Sequence, residues 1–450
     1  MTSTTARPGT QAANGVRASL GALPPHWQTR RLKYVALVRP SGVDKHVRED
    51  EQPVRLCNYT DVYNRSVITD DIEFMEGSAS SAEIARFTLR RGDVLITKDS
   101  ETWDDIAVAA FVAQDLDGVV CGYHLALLRP IPEAVDGLFL AYSLSGAAVV
   151  TQFYVRATGI IRYGLSHDDI KSALLPIPPL QEQRAIAAFL DRETARIDAL
   201  IAKRQRLIEL LEEKRSALIT NFVTKGLDPN VPMKDSGVDW LGEIPAHWEI
   251  LPLKRRADRI ETGRTPPTSE TRYYDDGTLP WFGPGSFGET LLLDEPVKFV
   301  SEAAVRDGVV QVFESGSVMI VTIGATIGKV GYADFPASAN QQITAVSFDK
   351  TRVFPKYGAY QLKSFERVLK GIAPNTTLPI LAQDEIGYLP FAVPPSSEQH
   401  AITRLLDGET AKIDALLSKV REHLARLREL RTALISTAVT GQIDVRGQAQ

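Results

Sequence analysis

Three short strings in this sequence have residue types that elsewhere hold phosphates or metal ions. "GPGSFG" at 283–288 fits G-x-G-x-x-G. A dinucleotide loop needs a strand before it and a helix after it. Here the short "TLPW" precedes it and "ETLLLDEP", with an internal proline, follows, so a plain glycine-rich loop is expected. "GATIGK" at 324–329 is one residue short of GxxxxGK, and Val330 stands where a Ser or Thr would hold Mg²⁺. "LLLDEP" at 291–296 has the look of an acidic strand end in transporter-type ATPases, but the P-loop-like string follows it instead of preceding it. His26 and His247 each belong to a His-Trp pair, where capping or packing is the expectation. "GDVLITK" (92–98) is a faint nuclease echo, with Asp93 expected as a turn residue before a strand. No HExxH, GxSxG or NPP[YF] string occurs. The expectation from these strings is no catalytic residue and no metal ligand set; a nucleotide-driven enzyme stays open only if the look-alikes are real, which a nucleotide-binding assay would decide.

The 450 residues carry a net charge of −5, which favours solubility and is no sign of nucleic-acid binding by itself. A groove needs only local positive charge, however. Two cysteines, Cys57 and Cys121, suit a reduced, cytoplasmic protein. No apolar run reaches the roughly 18 residues of a membrane span, and the opening 22 residues read as a mobile tail with no secretory signal.

The elements that must position any chemistry are written twice. "ETARIDALIAK" at 193–203 returns as "ETAKIDALLSK" at 409–419. Pairing residue n with n+216, from Pro178/Pro394 to Asp228/Asp444, gives 25 identities in 51 positions without a gap. A second echo, "LPPHWQTRRLK" (23–33) and "IPAHWEILPLK" (244–254), opens each copy. Between these ends the copies diverge, apart from "SHDDI" (166–170) opposite "AQDEI" (382–386). Shared ends and unlike middles imply one scaffold carrying two different readers.

The repeated phrase has heptad spacing. Leu190, Ile197, Arg204, Leu211 and Leu218 fall at one position, with Thr194, Ile201, Ile208 and Arg215 four residues on. The second copy has Leu406, Ile413, Val420, Leu427 and Leu434, with Thr410, Leu417, Leu424 and Arg431. Such an a/d seam asks for a partner helix, and the duplicate, packed antiparallel, is the obvious one; the alternative is that each helix simply covers its own domain. Each helix is expected to run for roughly 39 residues, about 58 Å. Both middles read as mixed α/β. In the first, strand-like runs 92–98, 106–113 and 123–130 precede a helical stretch at 137–155. In the second, 316–324, 328–334 and 343–349 precede one at 356–372.

These residues resemble a known family. "PPLQEQRAIAAFLDRETARIDALIAKRQRLIELLEEKRSALIT", the linker "MKDSGVDWLGEIPAHWE" and "PPSSEQHAITRLLDGETAKIDALL" are similar to the specificity (S) subunits of type I restriction–modification systems. So are "ETGRTPPTSETRYYDDGTLPWF" (261–282), "GATIGKVGYADFPASANQQITA" (324–345) and "GDVLITK". The resemblance implies an α/β (α+β) fold. Two target-recognition domains would be separated by two long antiparallel coiled-coil helices, in a pseudo-twofold tandem repeat. The segments would be a tail (1–22), domain 1 (23–177), helix 1 (178–228), a linker (229–244), domain 2 (245–393) and helix 2 (394–445). Each domain would read half of a bipartite site on double-stranded DNA. The helices would set the gap and hold two methyltransferase subunits, which bind S-adenosylmethionine. Adenine methylation would follow, and cleavage where motor–nuclease subunits join. The resemblance implies a subunit that itself catalyses nothing, so the chain is expected not to be an enzyme, and no cofactor is expected in it. The competing reading is a non-catalytic coiled-coil adaptor that reads no DNA sequence.

Phosphate contacts position a reader and base-edge contacts specify. Loops mixing basic, amide, hydroxyl and aromatic residues are the candidates. In domain 1 they supply Lys98, Trp103, Arg156, Arg162 and Tyr163. In domain 2 they supply Arg264, Thr265, Tyr273, Trp281, Thr326, Lys329, Asn340, Gln341 and Asn375. Asn340 or Gln341 suits adenine, and Arg264 suits guanine.

Overall fold

The computed structural model describes residues 20–373 and 379–445. The chain divides into two compact units, one from residues 1–203 with 423–450 and the other from 204–422. The division cuts through the long helices. Leu180–Lys225 has 46 residues and Ser396–Val439 has 44, so each exceeds the expected length and gives half of itself to each unit. The boundaries expected at 178, 228 and 394 treated the helices as separate spacers; instead, helix ends are core material of both units. The tail read as 1–22 is also too long, because Leu20 is buried in the first core and Leu23 packs against it. The linker 229–244 is ordered: Met233–Asp235 pairs antiparallel with Glu243–Pro245, and Leu241 and Ile244 are buried in the second core.

In the first unit a five-stranded sheet runs in the order Ala36–Pro40, Leu125–Pro130, Val94–Thr97, Ala109–Val112, Val67–Ile68. In the second, a four-stranded sheet runs Ala257–Thr262, Ile343–Phe348, Ser317–Val321, Val330–Ala333. The first four strands therefore have one order in both units: opening strand, closing strand, then the central hairpin. Each unit is also tied shut by its ends. Gln28–Arg31 pairs antiparallel with Leu174–Ile177, and Glu249–Pro252 with Pro390–Val393. The helical stretch 137–155 breaks at Gly146 into Gly137–Ser145 and Ala147–Tyr154. A Cβ there would approach Val439 Cγ2 to 2.8 Å. The stretch at 356–372 likewise forms Pro355–Ser364 and Glu366–Ile372.

The repeated residues are the joints of this scaffold. Glu182, in the first turn of one long helix, accepts from Trp27 Nε1 at 3.2 Å and lies 2.8 Å from His26 Nε2. Glu398 does the same for Trp248 at 3.1 Å and His247 at 2.9 Å. Each tryptophan edge also lies against the glycine that ends the other helix: Gly226 at Trp248 and Gly441 at Trp27. Both glycines have positive φ, 73° and 72°, so a side chain there meets strain as well as the indole. The buried Gln183 binds the carbonyls of Pro178 and Ala134 and accepts from Asp136 N. Gln399 binds those of Pro394 and Arg352 and accepts from Phe354 N.

The heptad seam is buried as its period demands. Leu190, Ile197, Ile208, Leu406, Ile413, Leu417 and Leu424 are buried, while Ile201, Leu211, Leu218, Leu427 and Leu434 are half-buried. Toward each helix end the buried stripe shifts by one residue, to Ile219 and Val223 and to Ile435 and Val439. An α-helix with 3.6 residues per turn drifts against a strict 3.5 repeat in this way. One bridge is made twice with the helices' roles exchanged. Arg215 reaches Asp414 at 2.6 Å in the second unit, and Arg431 reaches Asp198 at 2.8 Å in the first. Within each unit the two helix halves thus run antiparallel.

The phosphate-loop look-alikes lie in other geometry. "GATIGK" turns one antiparallel strand, Ser317–Val321, into the next, Val330–Ala333, with no helix following. "GPGSFG" holds a single short turn, Pro284–Ser286. Asp93 caps its turn by accepting from Arg90 N at 2.8 Å, but it is also buried and bonded by both Nε and Nη2 of Arg129. Its role reaches further than the turn residue expected.

Candidate nucleic-acid interface

In the second unit three loops meet at one edge of the sheet. Gly263 brings the first loop against the third so closely that a Cβ would lie 2.3 Å from Ala339 O and 2.4 Å from Asn340 O. Only glycine fits such an approach. The exposed Thr265 then donates to Gln341 Oε1. Asn340 closes on Gln342, donating Nδ2–H to its Oε1 at 3.1 Å and accepting its N–H at 3.0 Å. Gln342 Nε2 reaches the carbonyl of Ile323 at 3.4 Å in the middle loop. Gln383 donates to Thr262 at 2.7 Å on the flank. The edge therefore presents amides and hydroxyls already held in place. Gln341 is the exposed amide, and Asn340 is half-buried and engaged. Thr326 is exposed in the middle loop. Arg264 is exposed and touches Gly308 O at 3.3 Å.

Three expected contact residues sit elsewhere. Tyr273 and Trp281 are buried in a small apolar cluster with Val300, Ala304 and Val310. Trp281 Nε1 donates to Arg264 O at 3.1 Å, so it supports the loop from behind. Burial also pushes the Tyr273 hydroxyl above its usual pKa. Lys329 is bound to Phe287 O at 3.1 Å and lies 3.7 Å from Glu289, which also meets Arg215 of the long helix. These three are positioned as structural residues. Asn375 lies outside the described residues.

In the first unit the candidates gather on a three-stranded ribbon: Thr158–Gly159, Tyr163–Gly164 and Asp99–Ser100. Lys98 precedes the last strand; its Nζ donates to Ser41 O at 3.1 Å and lies 5.0 Å over the Tyr123 ring. His124 approaches Asp99 at 2.6 Å. Trp103 meets Tyr154 edge-on at 6.2 Å, and both pack with Tyr163 against the core. Arg162 is exposed at the ribbon tip. Arg156 is not part of this group: it is half-buried, turned to Gln152 O at 3.3 Å, and burial lowers its pKa. Tyr123, His124, Gln342, Gln383 and the tip residues Ile160 and Ile161 belong to these surfaces and were not singled out from sequence. The two glycines flanking "IIRY" were the one available hairpin signal.

The profile of the type I restriction modification DNA specificity domain matches this chain twice, over residues 26–210 and 246–424. The chain belongs to that family. Its two matches fall on the two copies of the repeat. Among its relatives, the protein described as the MjaX type I restriction enzyme specificity subunit of Methanocaldococcus jannaschii is 22% identical over 440 residues, 96% of this chain and 97% of that one. The EcoR124I/EcoR124II specificity subunit of Escherichia coli is 25% identical over 282 residues, 60% of this chain and 62% of its own length. A chain solved in work on complex assembly and conformational transition of the type I R-M system shares the fold. It has a TM-score of 0.69 at 20% identity, covering 94% of this chain and 100% of that one. This specificity chain is a DNA sequence-recognition subunit, and its fold is the tandem arrangement described above.

Proposed function

We propose that each unit reads one half of a bipartite duplex site, and that the paired helices fix the gap between the halves and dock two methyltransferase subunits. The observation that carries this is the pairing of one strand order with two unlike loop sets. The second unit offers a preset amide and hydroxyl edge around Thr265 and Gln341. The first offers a ribbon with Lys98 at its base and Arg162 at its tip. Amides pair with adenine and guanidinium groups with guanine in the major groove. The chain itself performs no chemistry in this reading. Adenine methylation uses S-adenosylmethionine bound by the methyltransferase subunits, and cleavage requires motor–nuclease subunits in addition. With a net charge of −5, many phosphate contacts come from the partners, so the isolated chain binds DNA weakly. The working compartment is the cytoplasm.

The test is a domain exchange. Residues 245–390 are replaced by the corresponding middle of another family member, and methylated motifs in the host genome are sequenced. One half-site changes and the other stays. If both halves change together, or no bipartite motif is methylated, this reading is wrong.

A further inference from the structure

The first unit's ribbon ends in two isoleucines that stand almost wholly in solvent, Ile160 at 94% and Ile161 at 90% exposure. No other large hydrophobic side chain among the described residues is as exposed. The stem beneath them is well defined. Gly159 pairs with Tyr163 and Thr158 with Gly164, leaving Ile160, Ile161 and Arg162 as the turn. A Cβ on Gly159 would lie 1.9 Å from Arg162 O, so this turn closes only with glycine. The stem is anchored where Tyr163 pairs with Ser100 and Leu165 N binds Lys98 O at 2.9 Å.

Beyond the third strand, Asp99–Ser100, only the hairpin's three-residue turn continues, and the DNA major groove admits an element of that width. An isoleucine there has no hydrogen bond to offer. The apolar feature on the groove floor is the 5-methyl group of thymine. Arg162, exposed beside them, supplies the cation for a phosphate or a guanine edge. A protein-docking patch usually spreads over a contiguous face; here the apolar surface is two adjacent tip residues flanked by exposed Gly159 and Arg162. We propose that the 158–164 ribbon enters the major groove of the first half-site and that Ile160 and Ile161 recognise thymine through its methyl group. This rests on the first unit being a DNA reader.

The wild-type half-sites are first fixed from genome methylation. The full chain, assembled with its methyltransferase subunits, is then titrated with duplexes in which each first-half thymine is singly replaced by uracil, which removes only the methyl. At one or two positions uracil weakens wild-type binding roughly three- to fivefold per methyl lost. The I160S/I161S complex binds the thymine duplex correspondingly more weakly, no longer distinguishes uracil there, and keeps its second half-site. The substituted tip is fully exposed, so its melting temperature matches wild type. A first half-site without an A·T pair would overturn the proposal at once. So would wild-type indifference to uracil at every position, or a variant that keeps the thymine preference. A variant that loses its methyltransferase subunits on gel filtration would place the tip in a protein interface instead. Failure to find any bipartite methylated motif is a different result, because it removes the reader itself.

Discussion

Asp93 shows what a single residue can hide from sequence reading. Its place before a strand made it a turn residue, and it does cap that turn. Its larger role depends on Arg129, 36 residues away, which bonds it at 2.8 and 2.7 Å. No local pattern encodes that pairing. Removing one member of a buried ion pair strands the other charge, so Asp93→Ala should cost about 3 kcal/mol, read from urea unfolding. A second substitution, Arg129→Met, should restore part of the loss; no recovery would show that the pair is not the cause. Cys57 and Cys121 face each other across parallel strands, both buried. Burial, and for Cys57 also the neighbouring Cys121, holds both thiols well above the usual range. In the unfolded chain they ionise near pH 8.5 (about the value of a free thiol). Their contribution to stability is therefore complete below that pH and declines above it. The melting temperature should fall more steeply between pH 8 and 10 in the wild type than in C57A/C121A, whatever the offset between the two curves. Parallel curves would show that the thiols carry no such linkage.

At the scale of elements, the helices were the legible part. A heptad repeat needs no distant information; the spacing marked the buried positions along the middle of each helix, but not the shift to Ile219, Val223, Ile435 and Val439 at the ends. The strand order was not legible, because pairing Ala36–Pro40 with Leu125–Pro130 joins segments some ninety residues apart. The loops fared in between. Thr265 and Gln341 were marked as readers and do meet, whereas Tyr273 and Trp281 were marked for their ring chemistry and are core. Aromatic residues in a mixed loop carry no local mark of which ring faces outward and which, like Trp281, supports the loop from behind. Two predictions belong to the helices. Leu417→Ala, at a buried seam position, should cost about 2–5 kcal/mol; a change under 1 would mean the seam collapses freely. Inserting four residues near Gln205 lengthens one helix by roughly 6 Å, close to two base-pair steps at about 3.4 Å each. An active complex should then methylate the same half-sites with a changed gap. An unchanged gap would show that the helices are not the ruler.

At the scale of the molecule, the duplication predicts what half of it can do. A fragment of residues 1–231 keeps one reader and the first long helix but lacks Ile435, Ala438 and Val439, which fill the first core. A second copy of the fragment offers Ile219, Phe222 and Val223 in the equivalent places. The fragment should therefore dimerise, and the dimer should read an inverted repeat of the first half-site. Two residues oppose it: Phe222 is far larger than the Ala438 it replaces, and Arg204 stands where the second helix has Val420. Phe222→Ala with Arg204→Val should tighten the dimer in sedimentation at tens of micromolar. If the fragment is a well-folded monomer in both forms, the first core does not need a helix end from a second strand of chain.

That need also bears on how the protein is made. Residues 204–422 form one uninterrupted unit, complete once they have been synthesised. The first unit starts earlier and finishes later. Its core waits for Ile435, Ala438, Val439 and Val445, which emerge from the ribosome after the entire second unit. At about 5–20 residues per second, that wait is roughly ten to forty seconds. Throughout it, the apolar slot beside Gly146 stands open to chaperones and proteases. A chain that stops before residue 423 lacks all four of these residues, and its slot is filled only if a second copy lends a helix end. Closure of the first domain is thus tied to length: a chain translated through to the end of its second helix fills the slot from its own sequence.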